Sequence, residues 1–354
     1  MKKIIIFLMF FMLNVFLLSE SDDEVYYKAK VMKINNLIKP SDDEADMLKF
    51  KVSYMILIES GDKKGEYITL IHPYFHENKM NLSIKKGDKI LLSYQDDEYF
   101  AISLDNSYKV LSLVILFFGL IIIFAKFRGL KAIIGLIIAI TLIIYVFIPF
   151  IIKGFSPLIL SIILIFFATI GSLIFITGFN KKTISSSLGT LGGVLFAGAI
   201  SMIYIRFMRL SGYYDAEVFN ASDMLKGIDI IQLLSAGIII GSLGAIMDVA
   251  VSISSALYEV KQQNYAITSK ELFLTGINIG KDIIGTMINT LVFAYLGSSV
   301  VTIILFTVNS TSYPFIRIIN FEFVIVEILR ALCGSIGILI SVPITSAVAA
   351  KINI

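Results

Sequence analysis

The sequence predicts an α-helical polytopic membrane protein with about seven transmembrane helices, preceded by a small exported all-β domain. Of its 354 residues 57% are hydrophobic and only 16% are charged, and the mean hydropathy is +0.86. Soluble domains are about one quarter charged. Apolar runs long enough to cross ~30 Å of hydrocarbon follow one another after Tyr108. Before that point the chain is polar and contains short β-favouring runs.

Residues 1–20 have the pattern of a secretory signal. Lys2 and Lys3 precede an apolar run over residues 4–18, but the following LLSES has no clean pair of small residues for cleavage. A cleaved signal peptide and a retained signal anchor both fit this pattern. Either one exports the segment that follows.

Residues 21–108 are predicted to form a barrel-like β domain outside the cytoplasm. Turn-forming pairs such as Gly61-Asp62 and Gly87-Asp88 separate its β-favouring runs. The interior of so small a domain is modest, so we expect it to bind an envelope partner rather than to catalyse a reaction. The runs are VYYKAKVMKI, LKFKVSYMILIE, EYITLIHPYF, DKILLSY and EYFAISL.

The histidine and cysteine content restricts the chemistry. His72 and His76 are the only histidines, and Pro73 between them opposes the helix that would make both of them metal ligands. The single cysteine, Cys333, excludes an intrachain disulfide and a multi-cysteine metal site. We therefore expect no metal, no cofactor and no redox chemistry.

Residues 109–354 are predicted to be the transmembrane domain. Its seven apolar runs fall near 109–125, 132–152, 157–177, 183–205, 230–250, 283–306 and 323–348. The fifth run continues to about Glu259, as one extended helix or as a helix broken near Gly241 and Gly244. Thr268 and Glu271 form a capping box, which predicts a helix lying at the membrane surface over about 269–280.

The positive charges indicate an orientation rather than a nucleic-acid partner. The net charge is only +3, and Lys and Arg occur in short clusters between apolar runs. The positive-inside bias favours the β domain outside and the C-terminus in the cytoplasm, with eleven basic residues at the inner connections and termini against six at the outer ends and connections of the seven helices. The inner set is Lys2, Lys3, Lys126, Arg128, Lys131, Lys181, Lys182, Lys261, Lys270, Lys281 and Lys351; the outer set is Lys109, Lys153, Arg206, Arg209, Lys226 and Arg317.

Polar residues recur at helical spacing in the late apolar runs. A charged side chain at the centre of a bilayer costs about 2.5 to 3.5 kcal/mol, so such residues need partners, water or a function. On the fifth run four polar positions fall within about 60° of one another at about 100° per residue. The sixth run repeats their offsets, with Lys281 beside its stripe. The first stripe is Asp248, Ser252, Ser255 and Glu259, and the second is Asn278, Asp282, Gly285 and Asn289.

The seventh run carries Glu322 and Glu327, with Arg330 on the same helix face as Glu327. This pair can neutralise itself, which favours a structural role. Small residues on the fourth and fifth runs, including Gly189 with Gly193 and Gly237 with Gly241, favour close helix packing.

Three strings in the last third of the chain resemble the YibE/F family of bacterial multi-pass membrane proteins. They are GSLGAIMDVAVSISSALYEV, ELFLTGINIGKDIIGTMINTLVFAYLGSS and EILRALCGSIGILISVPIT. The resemblance covers roughly 110–350, and the exported β domain also fits the family's layout. Lys281 departs from the arginine expected there, which retains the charge but not a planar bidentate contact. The resemblance implies a multi-pass protein of the bacterial cytoplasmic membrane and no particular activity.

Three classes of function remain open from the sequence. The first is a secondary transporter or permease with Asp248 and Asp282 as coupling carboxylates, Lys281 as counter-charge and Glu327 with Arg330 as further pathway candidates. The second is an envelope scaffold in which Asp248 pairs with Lys281. A paired-aspartate intramembrane enzyme is third and least favoured, so we expect no catalytic residues. The expected partners are lipid, an envelope protein and further copies of the chain, without nucleic acid.

Overall fold

The computed structural model describes residues 25–41, 46–76, 81–95, 97–214, 216–220, 225–308 and 314–352. The signal predicted at residues 1–20 lies outside these ranges. The chain divides into two compact units, with the boundary between Gly119 and Leu120. The first contains an antiparallel sheet and the second is helical, so the predicted fold class is confirmed.

The β unit is one five-stranded antiparallel sheet in the order β3-β2-β1-β4-β5. The edge strands β3 and β5 also contact each other. The strands are β1 Val25–Ile38, β2 Leu48–Ile58, β3 Tyr67–Phe75, β4 Lys89–Gln95 and β5 Glu98–Leu104.

The core of the β unit follows from the two-residue period of its strands. Tyr27, Ala29 and Val31 point inward from β1, because alternate side chains of a strand lie on the same face. Ala29 pairs with Ile58 on one side and Ile90 on the other, so the three central strands fill one core. The five β-favouring runs identified in the sequence correspond to these five strands.

Seven helices in the described ranges are long and apolar enough to cross a membrane. Non-helical backbone at Lys126 (φ 50°) divides the first two, and a π-helical turn at Ile143–Phe147 interrupts the second. The helices are α1 Ser107–Leu142, α2 Ile148–Ile152, α3 Pro157–Thr177, α4 Lys181–Phe207, α5 Ala216–Asn220, α6 Ile230–Gln263, α7 Ser269–Ser298, α8 Val300–Val308, α9 Phe315–Ile318 and α10 Glu322–Lys351.

Short polar side chains begin the long helices. The Asn180 side chain accepts the Thr183 N–H at the start of α4, and Asp229 accepts the Gln232 N–H at the start of α6, each at 3.0 Å. The predicted capping box is present at α7, where Thr268 and Glu271 bond reciprocally.

Helices α4, α6 and α10 pack closely through small residues. A Cβ added to Gly193 would lie 2.6 Å from the Gly337 carbonyl oxygen on α10 and 2.8 Å from Ile246 on α6. The Ser201 and Ser235 hydroxyls, on α4 and α6, are 2.6 Å apart in the buried interior. Lipid offers no hydrophobic advantage to helix association, so close approach and hydrogen bonds between helices hold this core together.

Helix α6 is continuous through Gly241 and Gly244, so of the two alternatives left open by the sequence the extended helix is confirmed. Helix α7 begins at Ser269 and ends at Ser298, whereas the sequence predicted a surface helix and then a separate span from residue 283. Gly276 and Gly280 let the first half of α7 pack against Ser346 and Val342 of α10, which joins it to the helical core.

Candidate functional site

One face of α6 carries the first predicted stripe. Asp248, Ser252 and Glu259 are exposed, and Ser255 is half-buried. Their neighbours at helical positions between them, such as Val249 and Ile253, are fully buried in the core. Because α6 is one continuous helix, the four polar positions share a face directed away from the chain's own interior.

Helix α7 presents the second stripe in the same way. Asn278, Lys281, Asp282 and Asn289 are all exposed, while Leu272, Gly276, Gly280 and Leu291 are buried. The buried residues of α7 and its half-buried apolar residues pack against the neighbouring helices. We call these polar residues of the two stripes the polar ridge: Asp248, Ser252, Ser255, Glu259, Asn278, Lys281, Asp282 and Asn289.

Contacts between α6 and α7 put the two carboxylates at similar depths. A Cβ added to Gly276 would lie 3.0 Å from Leu257, and one added to Gly241 would lie 2.8 Å from the Tyr295 hydroxyl, so the helices run antiparallel. Interpolation between these contacts sets Asp248 opposite residues 285–288, about 5 to 9 Å along α7 from Asp282. Each aspartate is then about 20 Å along its helix from the turn that joins α6 and α7.

The packing of α10 gives the same level independently. On α6, Ser242 and Ile246 contact Gly334 and Gly337, and on α7 Gly280 contacts Val342. The α6–α10 contacts place Asp248 at the level of about residue 340 of α10, and the α7–α10 contact places Asp282 at the same level. Both carboxylates therefore lie near the middle of their long helices.

The aspartates have no partner in the part of the chain that the structure describes. Neither Asp248 nor Asp282 has a hydrogen bond or an ion pair there, and the same holds for Lys281. The Asp248–Lys281 pair expected of a scaffold is therefore absent from the described residues. A closed cavity around the aspartates is equally absent from those residues, because the polar ridge is an open surface.

At the end of the polar ridge nearest the α6–α7 turn, Glu259 has a basic neighbour. Its Oε1 lies 3.9 Å from the Lys182 Nζ at the start of α4. The ammonium also lies 4.1 Å from the centre of the Tyr258 ring. Glu259 is therefore an exposed carboxylate with a basic neighbour, unlike the two unpaired aspartates.

Glu327 and Arg330 lie apart from the polar ridge. Glu327 Oε1 accepts a hydrogen bond from Arg330 Nη1 at 2.7 Å, so the predicted pair exists. Arg330 Nη2 also donates to the Tyr214 hydroxyl at 2.7 Å, which ties the loop after α4 to α10. Glu327 precedes the level of the aspartates by about 13 residues, or about 20 Å.

Sequence reasoning missed two features near that pair. Glu322 accepts hydrogen bonds from the Ser211 hydroxyl and the Gly212 N–H, the latter at 2.6 Å. A cavity also lies beside Glu327, formed by α7, α8, α9 and α10. No local pattern reveals either feature, because the residues involved are far apart in the chain.

The β unit has its own open groove and a filled aromatic cluster. The groove is lined mainly by apolar residues, including Met47, Ile71 and Phe75. Elsewhere on the sheet the Lys63 ammonium lies 3.7 Å from the centre of the Tyr94 ring and donates to the Tyr99 hydroxyl at 3.0 Å. No group of three or more His, Cys, Asp or Glu suited to a metal ion occurs among the residues described.

Comparison with known proteins agrees with the resemblance seen in the sequence. The family model described as YibE/F-like protein matches residues 113–353. This range includes α6, α7 and α10 and hence the whole polar ridge. No curated protein and no solved structure matches the chain.

Proposed function

We propose that this chain, which belongs to the YibE/F-like family, is a secondary transporter or permease whose polar ridge forms one wall of a pathway for protons or small cations. In this proposal Asp248 and Asp282 bind the coupling ion, Lys281 limits the local negative charge, and the serines and asparagines line the wall. The chain carries out no catalysis. The proposed setting is a bacterial cytoplasmic membrane, with the β unit outside.

The observation that carries the proposal is the pair of unpartnered aspartates at one depth on adjacent helices. Lipid tails offer neither hydrogen bonds nor counter-charge, so a surface of this kind is costly when it faces hydrocarbon. A water-filled path, completed by a further copy or an envelope partner, would hydrate both carboxylates. Intramembrane carboxylates that face water are typical of proton and ion pathways.

Flux measurements in proteoliposomes test the proposal. Under an imposed potential and pH gradient, the wild-type protein should move protons or monovalent cations, as read by a trapped pH-sensitive dye and by ion-selective electrodes. Asp248→Asn and Asp282→Asn should each reduce the flux by about tenfold or more. Both variants keep the side-chain volume and remove the charge.

Asp97→Asn is the matched control. It makes the same chemical change in the β unit, where residue 97 has a positive φ of 64° that asparagine tolerates. This variant should transport normally. Wild-type flux in both ridge variants, with elution as a folded species, would contradict the proposal.

An envelope scaffold is the second candidate, and the groove of the β unit favours it. Two of its lining residues are large, apolar and exposed: Met47 is 66% exposed and Ile71 53%. A protein partner in the envelope would cover them. The same flux experiment separates the two candidates, because a scaffold carries no flux that the aspartates can control.

A further inference from the structure

We propose that the cavity beside Glu327 binds a small amphipathic molecule with an apolar body and a hydrogen-bond-donating head, a hydroxyl or an amine. The cavity holds about 480 Å³, within the range of about 300 to 1,000 Å³ that is typical of small-molecule sites. It lies between the last turns of α7, the short helices α8 and α9, and the first turns of α10.

The walls of the cavity select for an apolar body. Phe306 and Phe323 contribute aromatic surface, and the Phe306 ring stacks on Phe321 with their centres 5.0 Å apart. Most of the remaining wall is aliphatic, and includes Val292, Leu296, Ile303, Ile318, Ile328 and Leu332.

The cavity lining contains one carboxylate, that of Glu327, beside the hydroxyl groups of Tyr295, Ser299, Thr302 and Thr307. Glu327 lines the cavity, and its Oε2 is buried without a hydrogen-bond partner among the described residues. A buried acceptor left without a donor is costly, and the cost is larger for a charged group. A ligand O–H or N–H that reached Oε2 would remove that cost.

Arg330 determines how much charge the head group needs. Its Nη1 already bonds to the other oxygen of Glu327, so the carboxylate is largely neutralised. The unpaired acceptor Oε2 therefore requires a hydrogen-bond donor but not a full positive charge, so alcohols and amines both qualify. Arg330 Nη2 donates to the Tyr214 hydroxyl, and neither residue lines the cavity.

This site is independent of the polar ridge. About 20 Å of helix separates Glu327 from the level of Asp248 and Asp282. The cavity lining includes no ridge residue. Ligand binding at Glu327 can therefore hold even when the transport proposal fails, and the reverse is equally true.

Photolabelling with two matched probes tests the inference on the full-length protein in nanodiscs. One probe is a long-chain primary alcohol with a diazirine in its chain, and the other is its methyl ether, which accepts but cannot donate. In the wild type the alcohol should label peptides of α7, α8 and α10 about tenfold more than the ether, the ratio expected for one hydrogen bond to a charged acceptor.

Two variants test whether Glu327 and the cavity cause this labelling pattern. Glu327→Gln places an amide N–H₂ where Oε2 was, if Arg330 keeps its contact, so the preference for the alcohol should vanish or reverse. Ala331→Phe fills the cavity, so labelling by both probes should fall. Glu259→Gln changes a glutamate outside the cavity and should leave the labelling unchanged.

The result that overturns the inference is equal labelling by alcohol and ether in the wild type, which would mean that acyl chains fill the cavity without recognition. An unchanged preference in a folded Glu327→Gln variant would also overturn it. Monodisperse elution and the melting temperature establish whether each variant is folded. If neither variant folds, the ratio of the two probes in the wild type decides the question.

Discussion

At the residue scale, what matters most is which polar side chains the fold leaves without a partner. Asp248 and Asp282 stand out in the sequence alone, because a carboxylate in an apolar helix is visible without any structure. Their surroundings were not predictable. The pair with Lys281 expected of a scaffold requires knowledge of which helix faces which, and that depends on packing between residues distant in the chain.

His72 is a second residue whose environment the sequence could not supply. It lies on β3 with its ring edge-on to Tyr74 at 5.2 Å, and its Nε2 is buried without a hydrogen-bond partner among the described residues. Burial lowers the pKa of His72 below its ordinary value of 6.5, because desolvation disfavours the charged imidazolium.

This shift predicts that the β unit loses stability in acid. Below about pH 6.5 the unfolded chain binds a proton at His72 that the folded chain does not bind. The free energy of unfolding therefore falls by up to ~1.4 kcal/mol per pH unit until the folded-state pKa is reached. Hydrogen exchange of the β3 amides in the full-length protein, from about pH 7.5 to about pH 5.5 and corrected for intrinsic rates, measures it.

Two variants identify the responsible group. His72→Leu replaces the buried ring by an apolar side chain and should flatten the pH dependence, whereas His76→Gln should leave it as in the wild type. An equally steep dependence in His72→Leu would assign the effect to other groups of the β unit.

At the element scale, signals within one turn of helix were easier to interpret than signals that needed a distant contact. The capping box at Thr268 was predicted and is present, because both partners lie three residues apart. Residues 269–280, which the sequence predicted to lie at the membrane surface, are continuous with the rest of α7. Gly276 and Gly280 are the positions at which α7 approaches α10, a contact between residues distant in the chain.

Glycines in the long helices should accordingly differ in their tolerance of a methyl group. Gly193→Ala puts a Cβ 2.6 Å from the Gly337 carbonyl oxygen, so the α4–α10 contact must open. We expect a destabilisation of about 1 to 3 kcal/mol, typical of overpacking. Thermal unfolding of the purified protein in detergent measures the change.

Gly237→Ala is the matched control for this packing argument. Residue 237 belongs to the second small-residue pair that the sequence suggested for packing, but a Cβ there would meet nothing within 4 Å. The change should be neutral or slightly stabilising, because alanine favours a helix by up to ~1 kcal/mol over glycine. Equal destabilisation by both variants would show that backbone propensity, and not close approach, determines the effect.

At the scale of the whole molecule, the sequence predicted the membrane class and seven helices because hydropathy is additive along the chain. Five of the seven helices were placed with ends within a few residues of those observed. That residues 269–298 form one helix packed against α10 depended on tertiary contacts. Orientation is a different kind of property, since it follows from basic residues at the connections rather than from contacts.

The predicted orientation can be tested with single cysteines, because Cys333 is the only native one and is buried in α10. In a Cys333→Ala background, Lys64→Cys replaces an exposed residue of the β unit and Gln263→Cys an exposed residue at the α6–α7 turn. The positive-inside bias puts the first outside and the second in the cytoplasm. An impermeant maleimide should therefore label Lys64→Cys in intact spheroplasts, and Gln263→Cys only after permeabilisation. Labelling of both before permeabilisation, or the reverse order, would contradict this orientation and would move the α6–α7 turn, with the adjoining end of the polar ridge, to the outer side.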